Sequence, residues 1–163
     1  MTIVSRCAPH AAEIAEIVAA AFRERHGSGE AEAALVEALR ADGDVVAELA
    51  ALRDGEVVGH VLFSRAVPGS IAALAPAAVR TDLQGQGIGG ALIRAGLAAC
   101  AAQGIEAVVV LGDPAYYGRF GFAPARVSSP YAGPHFQALE LVPGALDGVA
   151  AVHYPPAFQS LGG

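Results

Sequence analysis

The residues best suited to chemistry lie in the segment 74–90, where an apolar run ends at Arg80 and a glycine-rich turn opens a helix. Backbone N–H groups in such a turn can approach a ligand closely, and the start of a helix adds a positive dipole end. Gln84 can donate from its amide, and Arg80 can supply a nearby positive charge. A phosphate-binding turn is therefore predicted at Gly85, Gly87, Gly89 and Gly90.

Other interpretations of this turn are weaker. Gly85, Gly87 and Gly90 satisfy the G-x-G-x-x-G pattern of dinucleotide-binding proteins. That pattern follows the first strand of a long βαβ array, whereas here two helices and a hairpin are predicted to come first. A Walker phosphate loop is excluded because no Gly-Lys-Ser/Thr sequence follows the glycines. A helix that begins after a flexible turn, without any ligand, stays open as the alternative.

Two motifs in this chain resemble those of one protein family. The sequence QGQGIG at 84–89 matches the Q/R-x-x-G-x-G/A signature of the GCN5-related N-acetyltransferases, the GNAT family. Further along, GDPAYYGRFGF at 112–122 resembles the Tyr-x-x-x-Gly-Phe segment that follows the next strand in this family. The whole chain, including its ending at 152–158, looks most like a subgroup of small bacterial acetyltransferases.

The resemblance implies a single N-acetyltransferase domain over residues 1–163 with the acyl-CoA N-acyltransferase fold. This is a mixed α/β fold in which helices flank a twisted, mostly antiparallel central sheet. The implied reaction is direct transfer of an acetyl group from acetyl-CoA to a primary amine, with no metal. A non-catalytic acyl-CoA-binding or sensor module on the same fold stays open. The implied cofactor contacts are Ala77, Ala78, Val79, Gln84, Gly85, Gln86, Gly87, Ile88, Gly89 and Gly90.

The departing thiolate of such a reaction needs a proton, and a tyrosine can deliver it. Phenols and thiols have neighbouring reference pKa values of roughly 10 and 8.5. The resembled family often keeps this tyrosine four residues before the glycine of its Tyr-x-x-x-Gly-Phe segment, which is Tyr117 here. A Tyr117 that only packs or caps the cofactor sulfur stays open. Tyr116 is shifted by one position, so we expect it to point elsewhere and to pack.

The attacking amine must be neutral, so a base or a water chain has to accept its proton. The sequence offers no sharp candidate for this base. The acid that some members of the resembled family place on the neighbouring strands corresponds to Glu48 or Glu56 here, but both are expected to be solvated strand or turn residues. His60 is expected to be a solvated or satisfied histidine on a sheet face, with a role as proton acceptor as the alternative. Glu24 and Glu30 also stay open.

Composition argues against several other classes of function. The formal net charge is −6 and the ten basic residues form no run, which disfavours a nucleic-acid surface. No segment reaches the roughly 18 apolar residues of a membrane span, so a soluble, cytoplasmic protein is expected. Cys7 and Cys100 lack metal-like spacing and are expected to be reduced, buried thiols. The acceptor is left open between a small molecule and a peptide or lysine amine, and an exposed terminal strand leaves a homodimer open.

Hydrophobic periodicity and turn residues predict the elements that position these groups. Helices are predicted at about 9–22, from an N-cap at Ser28 to about residue 40, and at 88–103. The polar residues 23–26 are expected to connect the first two helices as a solvated loop. In the resembled family this connection often lines the acceptor site, which stays open as the alternative. Asp54-Gly55 predicts a tight hairpin. The loop 128–136 has the composition of a segment that covers a cleft. Packing within this loop is the favoured role of Tyr131 and His135, and contact with substrate is the alternative. Strands are predicted at 2–6, 45–53, 56–65, 71–80, 107–111, 137–142 and 150–154.

Overall fold

The computed structural model describes residues 1–26 and 29–161. Within them, seven strands form one sheet in the order β1-β2-β3-β4-β5-β7-β6, and every neighbouring pair is antiparallel except β4 with β5. The predicted mixed α/β fold with a mostly antiparallel sheet is confirmed. The strands are β1 (Thr2–Val4), β2 (Val45–Arg53), β3 (Glu56–Arg65), β4 (Ile71–Val79), β5 (Ala107–Leu111), β6 (Ala123–Pro124) and β7 (Phe136–Glu140).

Helices pack on both faces of the sheet because successive strand residues point to opposite sides. In β3, Leu62 packs with the apolar faces of the first two helices, whereas Phe63 packs with the third. No helix among the described residues is both long enough and apolar enough to cross a membrane. The helices are α1 (Ala11–His26), α2 (Glu30–Asp42), α3 (Ile88–Ala102) and α4 (Pro114–Tyr117).

The hairpin between β2 and β3 has the predicted bounds and the predicted turn. Asp54 and Gly55 have φ angles of 53° and 78°. Positive φ at both central residues is what a two-residue hairpin turn requires. Local sequence is therefore enough to place these two strands.

The sheet opens between β4 and β5. Their pairing covers only Ile71 to Leu74 of β4, whereas the opposite edge of β4 stays paired with β3 as far as Val79. Within β4, Ala75 and Pro76 bulge between two registered pairs with β3. A proline favours such an irregularity, because it has no N–H to donate to a normal interior ladder. The edge of β4 that faces β5 is therefore open beyond Leu74.

Some predicted bounds are wrong. Residues 23–26 form the last turn of α1 instead of a connection, since the run Ala11–His26 contains no glycine or proline to end it. The predicted N-cap Ser28 lies outside the described residues. The strand predicted at 150–154 makes only isolated bridges, because Ala151 and His153 pair with two different segments and no ladder extends. The last strand ends at Glu140, since the next two N–H groups both bond to the Glu106 carbonyl.

The crossing of α3 over the sheet depends on Gly96. A Cβ at this position would lie 2.1 Å from Cε1 of Phe63, whose side chain is fully buried. Gly96→Ala is therefore expected to lower the free energy of unfolding by about 1–3 kcal/mol, despite the higher helix propensity of alanine. Chemical denaturation measures the change. Gly118→Ala is the control, since a Cβ there meets nothing within 4 Å, and equal stability of the two variants would contradict the prediction.

Candidate active site

A cleft of about 1210 Å³ lies where β4 separates from β5. One wall is the open edge of β4, and others come from the glycine turn before α3 and from α4. Residues of α1, α2 and the C-terminal segment close the remaining side. The volume exceeds that of a typical small-ligand pocket, so a long ligand and a second reactant can fit together.

The glycine turn forms part of this cleft. Gly85 and Gly87 have φ angles of 80° and 86°, a conformation that disfavours a side chain. The Ala91 N–H makes the first bond within α3, to the Gly87 carbonyl. The N–H groups at 88–90 therefore lack acceptors inside the helix, as at any helix start. Of the predicted cofactor residues, Gln86 is exposed and does not line the cleft, whereas these do: Ala77, Ala78, Val79, Gln84, Gly85, Gly87, Ile88, Gly89 and Gly90.

The open edge of β4 presents backbone groups to the cleft. Arg80 donates its N–H to the Val58 carbonyl of β3, at 2.8 Å. Because successive residues of a strand direct their backbone groups to opposite edges, the N–H and C=O of Val79 face the open side. In agreement, the Gln84 amide donates to the Val79 carbonyl at 3.4 Å. The Val79 N–H is thus directed to the region where β5 has separated.

Arg80 does not supply the charge expected of it. Its Nε and Nη2 lie 2.7 and 3.1 Å from the Asp82 carboxylate, and its Nη1 lies 3.5 Å from Glu56. These carboxylates balance the guanidinium, and Arg80 does not line the cleft. The local pairing with Asp82, two residues on, is the feature that the sequence prediction overlooked.

Two other arginines line the cleft beside the glycine turn. The Arg94 guanidinium lies 4.9 Å from the centre of the Phe120 ring, and that of Arg119 lies 4.5 Å from the Tyr116 ring. Arg94 follows Gly90 by four residues, and residues four apart lie on the same helix face. This spacing could have predicted from the sequence that Arg94 lies beside the glycine turn. Their positive charges complement an anionic group at the glycine turn.

Tyr117 lines the cleft from the short helix α4. The Asp113 carboxylate caps this helix by accepting the Ala115 N–H at 2.9 Å. The Tyr117 ring lies against Gly112, where a Cβ would be only 2.5 Å from the ring carbon Cε2. The absence of a side chain at residue 112 therefore makes room for the ring.

Tyr116 also lines the cleft, although its shifted position predicted that it would point elsewhere. A Cβ on Gly89 would lie 2.8 Å from the Tyr116 hydroxyl oxygen, so this hydroxyl is close to the glycine turn. The rings of Tyr116 and Tyr117 are perpendicular, with centroids 5.0 Å apart. Two adjacent tyrosines reach the same cleft because α4 ends beside it and the rings diverge.

The opposite wall of the cleft is rich in aromatic side chains. The Tyr154 ring centroid lies 4.7 Å from that of Tyr131 and 4.9 Å from that of Phe158. Burial raises the pKa of Tyr154, and the nearby Tyr131 raises it further. Burial raises the pKa of Tyr131 as well. Both phenols therefore stay neutral near pH 7. Tyr131 and His135 both line the cleft, although packing within their loop is the role that the sequence favours.

Glu32 lines this wall too, and the sequence prediction missed it. The acids weighed from the sequence lie elsewhere: Glu24 is exposed outside the cleft, and Glu30 binds Arg23 at 3.1 Å. Glu32 shares a helix face with Leu35, which is buried, because residues three apart are neighbours on a helix. A carboxylate on an otherwise apolar helix face is unusual, and this pattern could have identified Glu32 from the sequence.

His60 and Glu48 belong to a buried charge cluster outside the cleft. His60 is fully buried, and its Nε2 lies 2.8 Å from Oε2 of Glu48. Arg40 reaches the same carboxylate from α2, with its Nε 2.9 Å from Oε1. Burial alone would raise the pKa of Glu48, but hydrogen bonds from His60 and Arg40 outweigh it and lower the pKa to about 2.

This cluster corrects the prediction that Glu48 is solvated. Its side chain is only 10% exposed, and Arg40 of α2 and the buried His60 of β3 both lie against its carboxylate. For His60, the prediction of a histidine with a hydrogen-bond partner is confirmed at Nε2, which bonds to Glu48. Its Nδ1 has no hydrogen-bond partner among the described residues. Glu56 is exposed, as predicted.

Both cysteines are buried, as predicted, and neither lines the cleft. Burial raises the pKa of Cys7 and of Cys100 to about 12. Their thiols are thus protonated at neutral pH, which opposes nucleophilic attack by a thiolate.

Comparison by sequence and by structure finds similar proteins. Residues 11–122 match the sequence model of the Acetyltransferase (GNAT) family. The uncharacterized N-acetyltransferase YhbS of Escherichia coli K12 is 39% identical over 142 residues, which cover 81% of this chain and 85% of YhbS.

Two crystal structures with bound coenzyme are also similar. E. coli YhbS in complex with CoA matches with a TM-score of 0.89 at 35% identity, over 99% of this chain and 93% of that one. A GNAT family acetyltransferase from Brucella melitensis, in complex with acetyl-CoA, has a TM-score of 0.83 at 37% identity, over 96% and 97% of the two chains.

Proposed function

Because this chain belongs to the GNAT acetyltransferase family, we propose that it transfers an acetyl group from acetyl-CoA directly to a primary amine. One observation carries the proposal: the glycine turn, the open edge of β4 and two tyrosines line the same cleft. The relatives bound to CoA and to acetyl-CoA support acetyl-CoA as cosubstrate.

The cleft offers donors suited to the cosubstrate. The free N–H groups at the start of α3 suit a pyrophosphate, and Arg94 and Arg119 add positive charge beside them. A Cβ on Gly89 would fill the space in front of Tyr116. The amide-rich pantetheine arm can pair with the open edge of β4 in the way that a peptide adds to a sheet edge.

Acetyl-CoA supplies an activated acyl group as a thioester, and the chain supplies the groups around it. The Val79 N–H is positioned to donate to the carbonyl oxygen, where negative charge develops during attack by the amine. The C–N bond forms, the C–S bond breaks, and the Tyr117 hydroxyl donates a proton to the departing sulfur. Water in the cleft accepts the proton that the amine loses. The buried cysteines take no part.

A thermal-shift titration tests the cofactor site first. A ligand at a hundred times its dissociation constant stabilises the folded state by about 2.7 kcal/mol. Acetyl-CoA and CoA are expected to raise the melting temperature, and NADH is not. The proposal fails if NADH alone stabilises the protein or if nothing does. CoA binding without acetylation of any amine would favour the non-catalytic module instead.

Two glycine variants show whether the turn holds the cofactor. Gly87→Ala is expected to lose most of the CoA-dependent stabilisation, because Gly87 is the N-cap of α3 and has a φ of 86°. Gly148→Ala is the matched control, since Gly148 has a φ of 79° but lies outside the cleft. Both variants carry similar backbone strain. An equal loss of CoA response in both would contradict a role of the turn in binding.

A further inference from the structure

The wall of the cleft opposite the tyrosines of α4 combines apolar rings with one charge. We name it the acceptor wall, and its residues are Phe22, Glu32, Leu35, Tyr131, Tyr154 and Phe158. Burial keeps the phenols of Tyr131 and Tyr154 neutral. The charge of this wall therefore comes from Glu32.

The Glu32 carboxylate is half-buried and lacks a counterion within the described part of the chain. The two arginines nearest along the sequence with described side chains are engaged by other acids: Arg23 binds Glu30, and Arg40 binds Glu48. Apart from Asp113, which caps α4, no other carboxylate among the described residues lines the cleft. Among the described residues, Glu32 is thus the one unbalanced negative charge that a cation entering from this side meets.

We propose that the acceptor has a single amino group on an apolar or aromatic body, that its ammonium form binds Glu32, and that this group loses a proton to water in the cleft before it attacks. This inference rests on the proposed acetyltransferase function. One carboxylate can balance one ammonium, and aromatic faces also attract cations. A second ammonium, or a body rich in hydroxyl groups, would lose its water against the aromatic rings and find no hydrogen-bond partner there. Burying polar groups in this way costs free energy. Polyamines and aminoglycosides are therefore poor acceptors.

The first test compares acceptors by steady-state kinetics. Phenethylamine is expected to have a kcat/KM at least tenfold above those of spermidine and kanamycin. In Glu32→Gln the KM for phenethylamine is expected to rise about tenfold, as for the loss of one charge-assisted hydrogen bond. The KM for acetyl-CoA should not change, and Glu32→Asp should recover part of the affinity. Glu37→Gln is the matched control, because Glu37 is exposed on the same helix.

The second test measures binding without turnover. Phenethylamine should stabilise the CoA-loaded protein in thermal shift, and Glu32→Gln should lose this effect while CoA still stabilises it. The inference is overturned if phenethylamine binds both proteins equally or neither, or if a polycation is the better acceptor. Binding that depends on Glu32, without any acetylation, would support the inference while the proposed catalytic function fails.

Discussion

Glu48→Ala is expected to lower the free energy of unfolding by about 3–5 kcal/mol, as for one partner removed from a buried ion pair. The variant leaves the buried His60 and the half-buried Arg40 without their shared acceptor. Urea denaturation at pH 7 measures the change. Glu56→Ala is the matched control, since Glu56 is exposed and its pairing with Arg80 is worth about 1 kcal/mol or less. Similar losses in the two variants would contradict a special role for the buried cluster.

The same cluster predicts how stability depends on pH. The pKa of Glu48 is about 2 in the folded protein, against an ordinary value of 4.5. A lowered pKa means that the folded state favours the ionised form, so this stabilisation is complete above pH 4.5 and is lost as the pH falls to 2. The unfolding free energy of the wild type should therefore fall more steeply in this window than that of Glu48→Gln. Parallel pH profiles would show that the carboxylate is not responsible.

Tyr117→Phe is expected to lower kcat by about 10²-fold, which is the usual scale for loss of a general acid. The hydroxyl is lost while the ring that packs against Gly112 remains, so the fold and the stabilisation by CoA should be retained. Steady-state kinetics with a reactive amine measures kcat, and thermal shift with CoA reports on the cofactor site. The effect therefore separates proton donation from packing.

Tyr116→Phe is the control for this experiment, because Tyr116 lines the same cleft on the adjacent position of α4. Its hydroxyl lies beside Gly89, so its removal is expected to alter CoA affinity more than kcat. If Tyr116→Phe loses turnover and Tyr117→Phe does not, the two roles are exchanged. Unchanged turnover in both variants would exclude a tyrosine of α4 as the acid.

Short-range patterns were sufficient for the elements that carry the site. The Asp54-Gly55 turn placed two strands with their observed bounds, because positive φ at both residues allows few other structures. The glycines at 85–90 predicted a turn and helix start that do line the cleft. In both cases the information lies within a few consecutive residues.

The bounds of irregular segments were less predictable. The residues 150–154 alternate like a strand but bond to two separate segments. The N–H groups after Glu140 find an acceptor at Glu106 instead of continuing the ladder. An extended run becomes a strand only when a neighbour is available along its whole length, and the sequence does not contain that information.

The sequence alone determined the family, the order of the main elements and the glycine turn, because these depend on motifs and periodicities read along the chain. Tertiary structure alone decided which charges from distant parts of the chain meet. Glu48 is buried because Arg40 and His60 approach it from other elements. Glu32 lines the cleft together with aromatic residues that are more than a hundred positions away along the chain, such as Tyr154. Charged side chains look alike in sequence, and only their surroundings in the fold distinguish the buried cluster of Glu48 from the cleft-lining position of Glu32.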